Sequence, residues 1–549
     1  MRIRAYLGRS PFQVKAGLFT LLLLTVWPAP AAEYQFSVAC ASADGTQSSR
    51  AWLWIPPECR RVRGLIVGGQ VILEKLMLDD PLIRQAAADE NLGLVVLFPN
   101  SLGEFDYHAG ADKALEKILK DLSEESGYTE IAGAPLMTIG HSSGALFAWN
   151  VAYWKPSRVM GIVTLHAAAI LPPHWNPGAT PDGIPVLAVS GEYETWDKPG
   201  LPLDKHWKLL RGGLLNMRSR FDEALVSEVV QPGASHFSWD EALSRHVAMF
   251  IQKVVQRRLP SETTIGTKPV ELTHLQLESG WLTDVTLLTP SRYAPAPYRR
   301  FQGDPTLAFW HMDKEAALAT ENYGAEHKGK LDQRVTFVQG GKPVPPGWLP
   351  DLKFDPIDDG MTVKVAGTFL SRTPEGPAGA DRPLEHADGP IRFRLIGGRG
   401  GGGQQTGPDT FRICFDHFGI NRRTCALQIM AYHEGDARYA YAEQPCQIVF
   451  PEKNTNGRPQ KINFPPTPDQ PRSAQSVELH ATADSGLPVE YFVRQGPAEL
   501  EGTRLKFTPI PPRAKFPISV TVTAYQWGRP LEPLVQSARP VDQTFLLQP

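Results

Sequence analysis

The sequence predicts an α/β protein whose first half forms a doubly wound, mostly parallel sheet and whose second half is rich in β-strands. Between residues 34 and 258, short apolar runs such as GLIVGG, LGLVVLFP and APLMTIG alternate with amphipathic stretches. Such alternation indicates β-α-β units. The runs GLVVLF, MGIVTL and IPVLAV lack alternating polar residues, as expected of strands that are buried on both faces.

The segment ADKALEKILKDL predicts a surface helix that packs on this sheet. Lysine and glutamate separate apolar residues that recur at helical spacing. These apolar residues are Ala114, Leu115, Ile118, Leu119 and Leu122. A last amphipathic stretch, WDEALSRHVAMFIQKVVQRR, closes this half of the chain, so we expect one catalytic domain over residues 33–260.

The sequence pattern changes after residue 260. Prolines become frequent, and alternating runs such as MTVKVAGTF and PIRFRLIGG indicate a β-rich middle domain over residues 261–455. The proline-rich linker FPPTPDQPRS lies within the start of a last module, residues 456–549, whose short alternating strands favour a β-sandwich. Residues 461–530 resemble the bacterial Ig-like modules of secreted enzymes, which implies a spacer or adhesion role.

Charge and length limit the classes of partner. The 549 residues include 56 Lys and Arg against 58 Asp and Glu, a formal net charge of -2. This balance gives no basic surface for nucleic acid or for anionic lipid, so neither is an expected partner. The length is enough for several domains, each with a core of its own.

The N-terminus predicts a secretory signal peptide over residues 1–32. Basic residues precede the apolar stretch AGLFTLLLLTVW, and PAPAAE supplies Ala29 and Ala31 in the arrangement of a cleavage site. The apolar stretch is shorter than the roughly 20 residues that a membrane span needs. We therefore expect an extracellular or periplasmic protein with no membrane span once the signal is removed.

Five cysteines in an oxidising compartment suggest disulfide bonds. Cys40 with Cys59 and Cys414 with Cys425 are the expected pairs, which leaves Cys446 over. The chain has no paired C-x-x-C, so a zinc site is not expected, and nothing in the sequence indicates another metal or a cofactor.

The sequence GHSSG at residues 140–144 matches G-x-S-x-G, with a buried strand predicted before it and a helix after it. In this motif the serine occupies a strained turn, and glycines allow the strand and the helix to pass closely. The motif and its context resemble the α/β-hydrolase superfamily, and the resemblance extends over about residues 50–256. It implies that Ser142 is a nucleophile.

The superfamily places an acid and then a histidine after the serine, and this chain meets that order. The apolar strand IPVLAVSG is followed by Glu192, Glu194 and Asp197, and the loop QPGASHF carries His236. The resemblance favours Glu194, three residues after Gly191, where an aspartate is common; Glu192 and Asp197 remain rivals. The histidine accepts the serine proton, and the carboxylate orients the histidine.

Further residues are expected at the same edge of the sheet. The resemblance implies an oxyanion site formed by the N–H groups of Ser143 and Gln70, with Val71 as an alternative to Gln70. His141, next to the nucleophile, is expected to be structural or to line the pocket. His166 ends the strand IVTLHA, where it either lines the pocket or is held by structural hydrogen bonds.

The leading hypothesis is a secreted serine hydrolase that cleaves carboxylic esters through an acyl-enzyme. By analogy with other enzymes that carry β-modules, acylated polysaccharide is a reasonable substrate. A peptidase on the same fold is the alternative enzyme, because the same triad serves both bonds. An extracellular binding or adhesion protein with a silent hydrolase scaffold is the non-enzymatic alternative. The oligomeric state is left open.

Overall fold

A computed structural model describes residues 34–41, 48–69, 72–99, 101–167, 171–194, 206–260, 270–284, 291–372, 383–399, 402–418 and 424–549. The expected signal peptide at residues 1–32 lies outside the described residues.

Eight strands of the first half form one twisted, mostly parallel sheet, as the apolar runs predict. The strands are β1 (Phe36–Ala41), β2 (Ser48–Trp54), β3 (Gly64–Gly69), β4 (Leu92–Phe98), β5 (Leu136–His141), β6 (Val159–Leu165), β7 (Pro185–Gly191) and β8 (Leu225–Gln231). Their order is β1-β2-β4-β3-β5-β6-β7-β8. Strands β3 to β8 run parallel, whereas β2 pairs antiparallel with β1 and β4. The carboxyl ends of β5 to β8 therefore meet at one edge.

Helices cover both faces of this sheet. They are α1 (Leu73–Asp79), α2 (Pro81–Asp89), α3 (Ala111–Ser126), α4 (Ala145–Trp154), α5 (His206–Arg220) and α6 (Glu241–Arg258). Apolar residues of α3 pack with one set of strand residues and those of α6 with the other set. Of the residues expected on the buried side of α3, only Ala114 is exposed, while the four larger ones are buried. Among the described residues, no helix is long and apolar enough to cross a bilayer.

Two aspartates fix the helices that flank the His236 loop. Asp80 caps α2 by accepting from the backbone of Leu82 and Ile83, and Asp240 caps α6 by accepting from that of Leu243. Side-chain caps of this kind each contribute about 1 kcal/mol. Asp80 also accepts from the Trp239 indole at 3.0 Å, so the start of α2 is tied to the loop before α6.

The second half is strand-rich, as predicted, and consists of several small sheets. Its middle part contains β9 (Trp281–Asp284), β10 (Ala296–Pro297), β11 (Ala308–His311), α7 (Lys314–Asn322), β12 (Val335–Gln339), β13 (Lys342–Pro343), β14 (Asp351–Leu352), β15 (Pro356–Ile357), β16 (Thr362–Lys364), β17 (Ala366–Phe369), β18 (Arg392–Arg399), β19 (Gly402–Gln405), β20 (Thr410–Cys414), β21 (Thr424–His433) and β22 (Ala442–Pro451). The long antiparallel pair of β21 and β22 is its largest ladder.

The last part contains strands in sheets of two, three and four. They are β23 (Ile462–Asn463), β24 (Gln470–Pro471), β25 (Ser476–Glu478), β26 (Thr482–Ala483), β27 (Glu490–Gln495), β28 (Ala498–Glu501), β29 (Arg504–Phe507), β30 (Ile518–Tyr525) and β31 (Val541–Gln548). The rings of Phe507 and Phe545, on different sheets, meet edge to face at 6.1 Å. Assignment of this part to the Ig-like class stays a prediction.

Neither expected disulfide is formed, so both predicted pairs are wrong for this structure. Cys40 Sγ lies 3.4 Å from Ser101 Oγ, while Cys59 follows β2 in a separate turn. Cys414 lies in the sheet of β20 and its Sγ contacts Gln404, whereas Cys425 lies on β21 in another sheet. Spacing along the chain could not reveal that these strands belong to different sheets.

Side chains on the two sides of the expected boundary at residue 260 share a core. Phe418 packs edge to face on Trp52 at 4.8 Å and on Phe98 at 5.0 Å. From the last part, the Arg513 guanidinium lies over the Tyr128 ring, 4.9 Å from its centroid. The boundary itself stays a prediction, but the first half does not cover its own apolar surface.

A chain that ends at Pro260 is expected to be less stable and less soluble than the full chain. Its truncation exposes Trp52 and Phe98, and a contiguous apolar surface promotes aggregation. Within the full chain, Phe418→Ala should lower the free energy of unfolding by about 3–5 kcal/mol, since it opens a cavity between packed rings. Thermal melts and sedimentation would measure both effects. A soluble short chain that melts with the full chain would show that the first half is independent.

Candidate active site

The turn that carries Ser142 has the strained geometry of a nucleophile elbow. Strand β5 ends at His141, a single 3-10 turn covers Ser142–Gly144, and α4 follows. Ser142 has φ 54°, a left-handed conformation that is uncommon for residues other than glycine. A Cβ on Gly140 would lie 2.2 Å from the Gly144 carbonyl oxygen, so only glycine fits there. With this turn, the sheet fits the α/β-hydrolase fold that the sequence resembles.

Glu194 and His236 are brought together at the same edge. The loop after β7 carries Glu194 and the loop after β8 carries His236, and His236 Nδ1 lies 2.6 Å from Glu194 Oε2. Glu194 is 1% exposed and also accepts from the backbone N–H of Gly191. Burial alone would raise the pKa of Glu194, but the imidazoles of His166 and His236 hold it well below its usual value. The carboxylate is therefore ionised.

The other ring nitrogen of His236 is poised to accept a proton. His236 Nε2 is buried and has no hydrogen-bond partner in the described part of the chain. Ser142 is half-buried and directly follows His141, whose ring centroid lies 4.9 Å from that of His236. With Glu194 on Nδ1, the proton-accepting lone pair belongs to Nε2, on the side of the ring away from the carboxylate.

The rivals for the acid have different places. Glu192 accepts from the backbone N–H of Gly233 at 2.8 Å, which holds the two loops together, and burial raises its pKa. Asp197 lies outside the described residues. Of the two expected oxyanion donors, Ser143 lies in the 3-10 turn that leads into α4, and Gln70 lies outside the described residues, as does Val71. Backbone N–H groups at such a helix start favour a developing negative charge.

His141 is a structural member of the site. It is completely buried, and its Nε2 lies 2.9 Å from the His236 carbonyl oxygen, so Nε2 carries the proton. Its backbone N–H donates to the buried Glu74 at 2.8 Å. Burial, together with the neighbouring imidazoles, lowers its pKa well below the usual value, so the ring is neutral.

Two further residues complete the surroundings of His236. His166 Nδ1 lies 2.6 Å from Glu194 Oε1, so the acid lies between two imidazoles. Glu443 lies on β22, and its carboxylate accepts two hydrogen bonds from Ser235. The Ser235 backbone N–H donates at 2.7 Å and the Ser235 hydroxyl donates at 2.8 Å. The same carboxylate accepts from the Ser238 hydroxyl at 3.3 Å and pairs with Arg394. The middle part of the chain thus holds both flanks of His236.

The sequence analysis placed His166 at the correct edge of the sheet but did not predict its contact with Glu194. It also missed Glu443 and Glu74. The position of His166 at the end of a buried strand was the available signal. Glu443 is separated from Ser235 by 208 residues, and no local pattern marks it. Among the described residues, no cluster of three His, Cys, Asp or Glu side chains could hold a metal ion.

Comparison with known proteins finds likeness in structure only. No protein-family model and no curated protein matches the sequence. A thermostable carboxyl esterase from Bacillus coagulans is 13% identical, covering 40% of this chain and 98% of that chain, with a TM-score of 0.28. A monoglyceride lipase from Saccharomyces cerevisiae is 14% identical over 45% and 99%, with a TM-score of 0.27. An esterase from the archaeon Pyrobaculum calidifontis is 15% identical over 40% and 85%, also at 0.27. Likenesses this distant carry no conclusion about function. Any such conclusion rests on the geometry of the site.

The positions of Glu192 and Glu194 predict that removing the charge of each will affect ester turnover very differently. Glu194→Gln leaves His236 without the carboxylate that orients it and stabilises its protonated form, so ester turnover should fall about 10³–10⁴-fold. Glu192→Gln keeps an oxygen to accept from Gly233, so turnover should stay within a few-fold of the wild type. Steady-state kinetics on a soluble ester measures both. A crippled Glu192→Gln beside an active Glu194→Gln would make Glu192 the acid.

Proposed function

We propose that this protein is a secreted serine hydrolase that cleaves carboxylic esters through an acyl-enzyme. The observation that carries the proposal is the contact between Glu194 and His236 Nδ1. His236 Nε2 is buried without a partner in the described part of the chain. The nearby elbow holds Ser142 in a strained conformation. Burying a charged pair of this kind costs free energy, and carboxylates with perturbed pKa values cluster at functional sites.

The geometry supports a two-step acyl transfer. His236 Nε2 accepts the Ser142 proton as the serine oxygen forms a bond to the ester carbonyl carbon, while Glu194 stabilises the imidazolium. The Ser143 N–H stabilises the oxyanion. His236 then returns the proton to the departing alcohol, which leaves the acyl group on Ser142. Water, deprotonated by His236, releases the carboxylic acid and restores the serine.

The ring of Trp348 supports a substrate with a ring-shaped group, such as an acylated polysaccharide. Trp348 lies in the segment after β13, its ring centroid is 5.4 Å from that of His236, and 37% of its surface is exposed. Gln444 donates to the Gly347 carbonyl at 2.7 Å and thereby holds this segment in place. An exposed indole beside the catalytic histidine offers a flat apolar surface on which a sugar or aromatic ring packs.

The N-terminal signal supports a location outside the cytoplasm, where polymeric esters are accessible. Basic residues, an apolar core and small residues before Glu33 predict that signal. In this proposal the strand-rich second half has two roles. Trp348 helps to hold the substrate, and Glu443 completes the site by binding Ser235.

Labelling by a fluorophosphonate probe tests the proposed nucleophile. The wild type should react at Ser142, and Ser142→Ala should lose labelling and at least about 10⁴-fold in ester turnover. Ser143→Ala is the matched control, because it keeps the backbone N–H and should still be labelled. Absence of labelling in the wild type would favour the binding protein with a silent scaffold. Faster cleavage of a matched amide than of the ester would favour the peptidase.

Removal of the indole tests the substrate class. Trp348→Ala should raise KM about tenfold for an acetylated oligosaccharide, since one ring contact accounts for about 1.4 kcal/mol. It should change KM for ethyl acetate less than threefold, and Trp348→Phe should restore most of the loss. Equal changes for both substrates would mean that Trp348 supports His236 and does not bind substrate.

A further inference from the structure

Glu194 has a second imidazole partner that the ester reaction does not require. His166 follows β6, is 2% exposed and has φ 52°. Its Nδ1 lies 2.6 Å from Glu194 Oε1, and its Nε2 lies 3.1 Å from the carbonyl oxygen of Ser238. Both ring nitrogens are therefore committed to neighbours.

Proton counting at these contacts fixes the charge of the ring. A carbonyl oxygen and a carboxylate oxygen only accept, whereas a neutral imidazole has one N–H and one lone pair. With Glu194 ionised, both nitrogens of His166 face acceptors, so both donate and the ring is an imidazolium. A neutral ring would direct a lone pair at one of the two oxygens.

The alternative position for this proton is Glu194, and the contacts disfavour it. Glu194 also accepts from the Gly191 N–H and from His236, and such bonds stabilise the ionised carboxylate. Burial would lower the pKa of His166, but Glu194 and the Ser238 carbonyl outweigh burial and raise it. The proton therefore stays on His166.

We propose that His166 is a protonated positioning residue that shares Glu194 with His236 and whose charge disfavours a second positive charge on His236. This rests on the proposed function. The charges of His166 and Glu194 cancel, and the ring of His166 lies 5.9 Å from that of His236, so a second positive charge on His236 is disfavoured.

In the described part of the chain, the other charged and titratable groups considered around His166 come from three elements. His141, at the end of β5, has its ring centroid 5.9 Å away and is neutral. Glu443 of β22 favours the charge on His166 through its position at Ser238. Glu74 of α1 accepts from the backbone of His141. All of these groups persist when His166 alone is replaced.

The pH dependence of kcat/KM in His166→Asn tests the proposal. Asparagine retains a donor at the position of Nδ1 and tolerates positive φ, so the variant should fold. Because it lacks the charge, the acid limb of the profile should move up by about one pH unit, with the plateau at higher pH kept within a few-fold. His480→Asn, an exposed histidine of the last module, is the control and should leave the profile unchanged. A uniform loss of activity with an unmoved limb would reduce His166 to a structural role.

The protonation state can be observed without turnover. In the wild type labelled with ¹⁵N-histidine, NMR should show one imidazolium among the 14 histidines that stays charged at pH 8, and it should be missing in His166→Asn or His166→Gln. Only neutral imidazoles at that pH would overturn the proposal, whether or not either variant folds. A charged His166 in a protein that hydrolyses no ester would instead refute the proposed function alone.

Discussion

The rest of the site depends on the hydrogen bonds that the buried carboxylate of Glu194 accepts. This carboxylate is buried, and it is ionised because two imidazoles and one backbone N–H donate to it. A charge buried without such partners would take up a proton instead. The three donors come from the ends of β6, β7 and β8, so the parallel order of these strands is what makes the carboxylate stable. Fold and site therefore stabilise the same arrangement.

The second half of the chain is part of this arrangement. Glu443 accepts from Ser235 and Ser238 on either side of His236, so the loop cannot move relative to β22 without breaking charge-assisted hydrogen bonds. A Cβ on Gly233 would lie 2.1 Å from the Tyr441 carbonyl oxygen, which shows how closely the two backbones approach. The β-rich part thus holds the His236 loop of the candidate site in place.

How much the sequence predicts depends on the range of each interaction. The sheet, helix α3 and the elbow around Ser142 follow from local periodicity and glycine sterics, and the order of serine, acid and histidine follows from a known resemblance. His166 could not be assigned to Glu194, because that requires knowing that β6 and β7 are neighbours. The role of Glu443 was missed, and the disulfide pairs were wrongly predicted, for the same reason: only tertiary packing decides which distant strands meet.

The three imidazoles of the site divide the available charge among themselves. Their ring centroids lie 4.9–5.9 Å apart, so two adjacent positive charges would repel strongly in a medium this dry. His141 donates to a carbonyl and faces no carboxylate in the described part of the chain, so it stays neutral. His166 faces acceptors on both sides, as the proposed imidazolium requires. His236 alone has one nitrogen on the carboxylate and one without a partner among the described residues, which leaves it as the ring that can gain and lose a proton during a reaction.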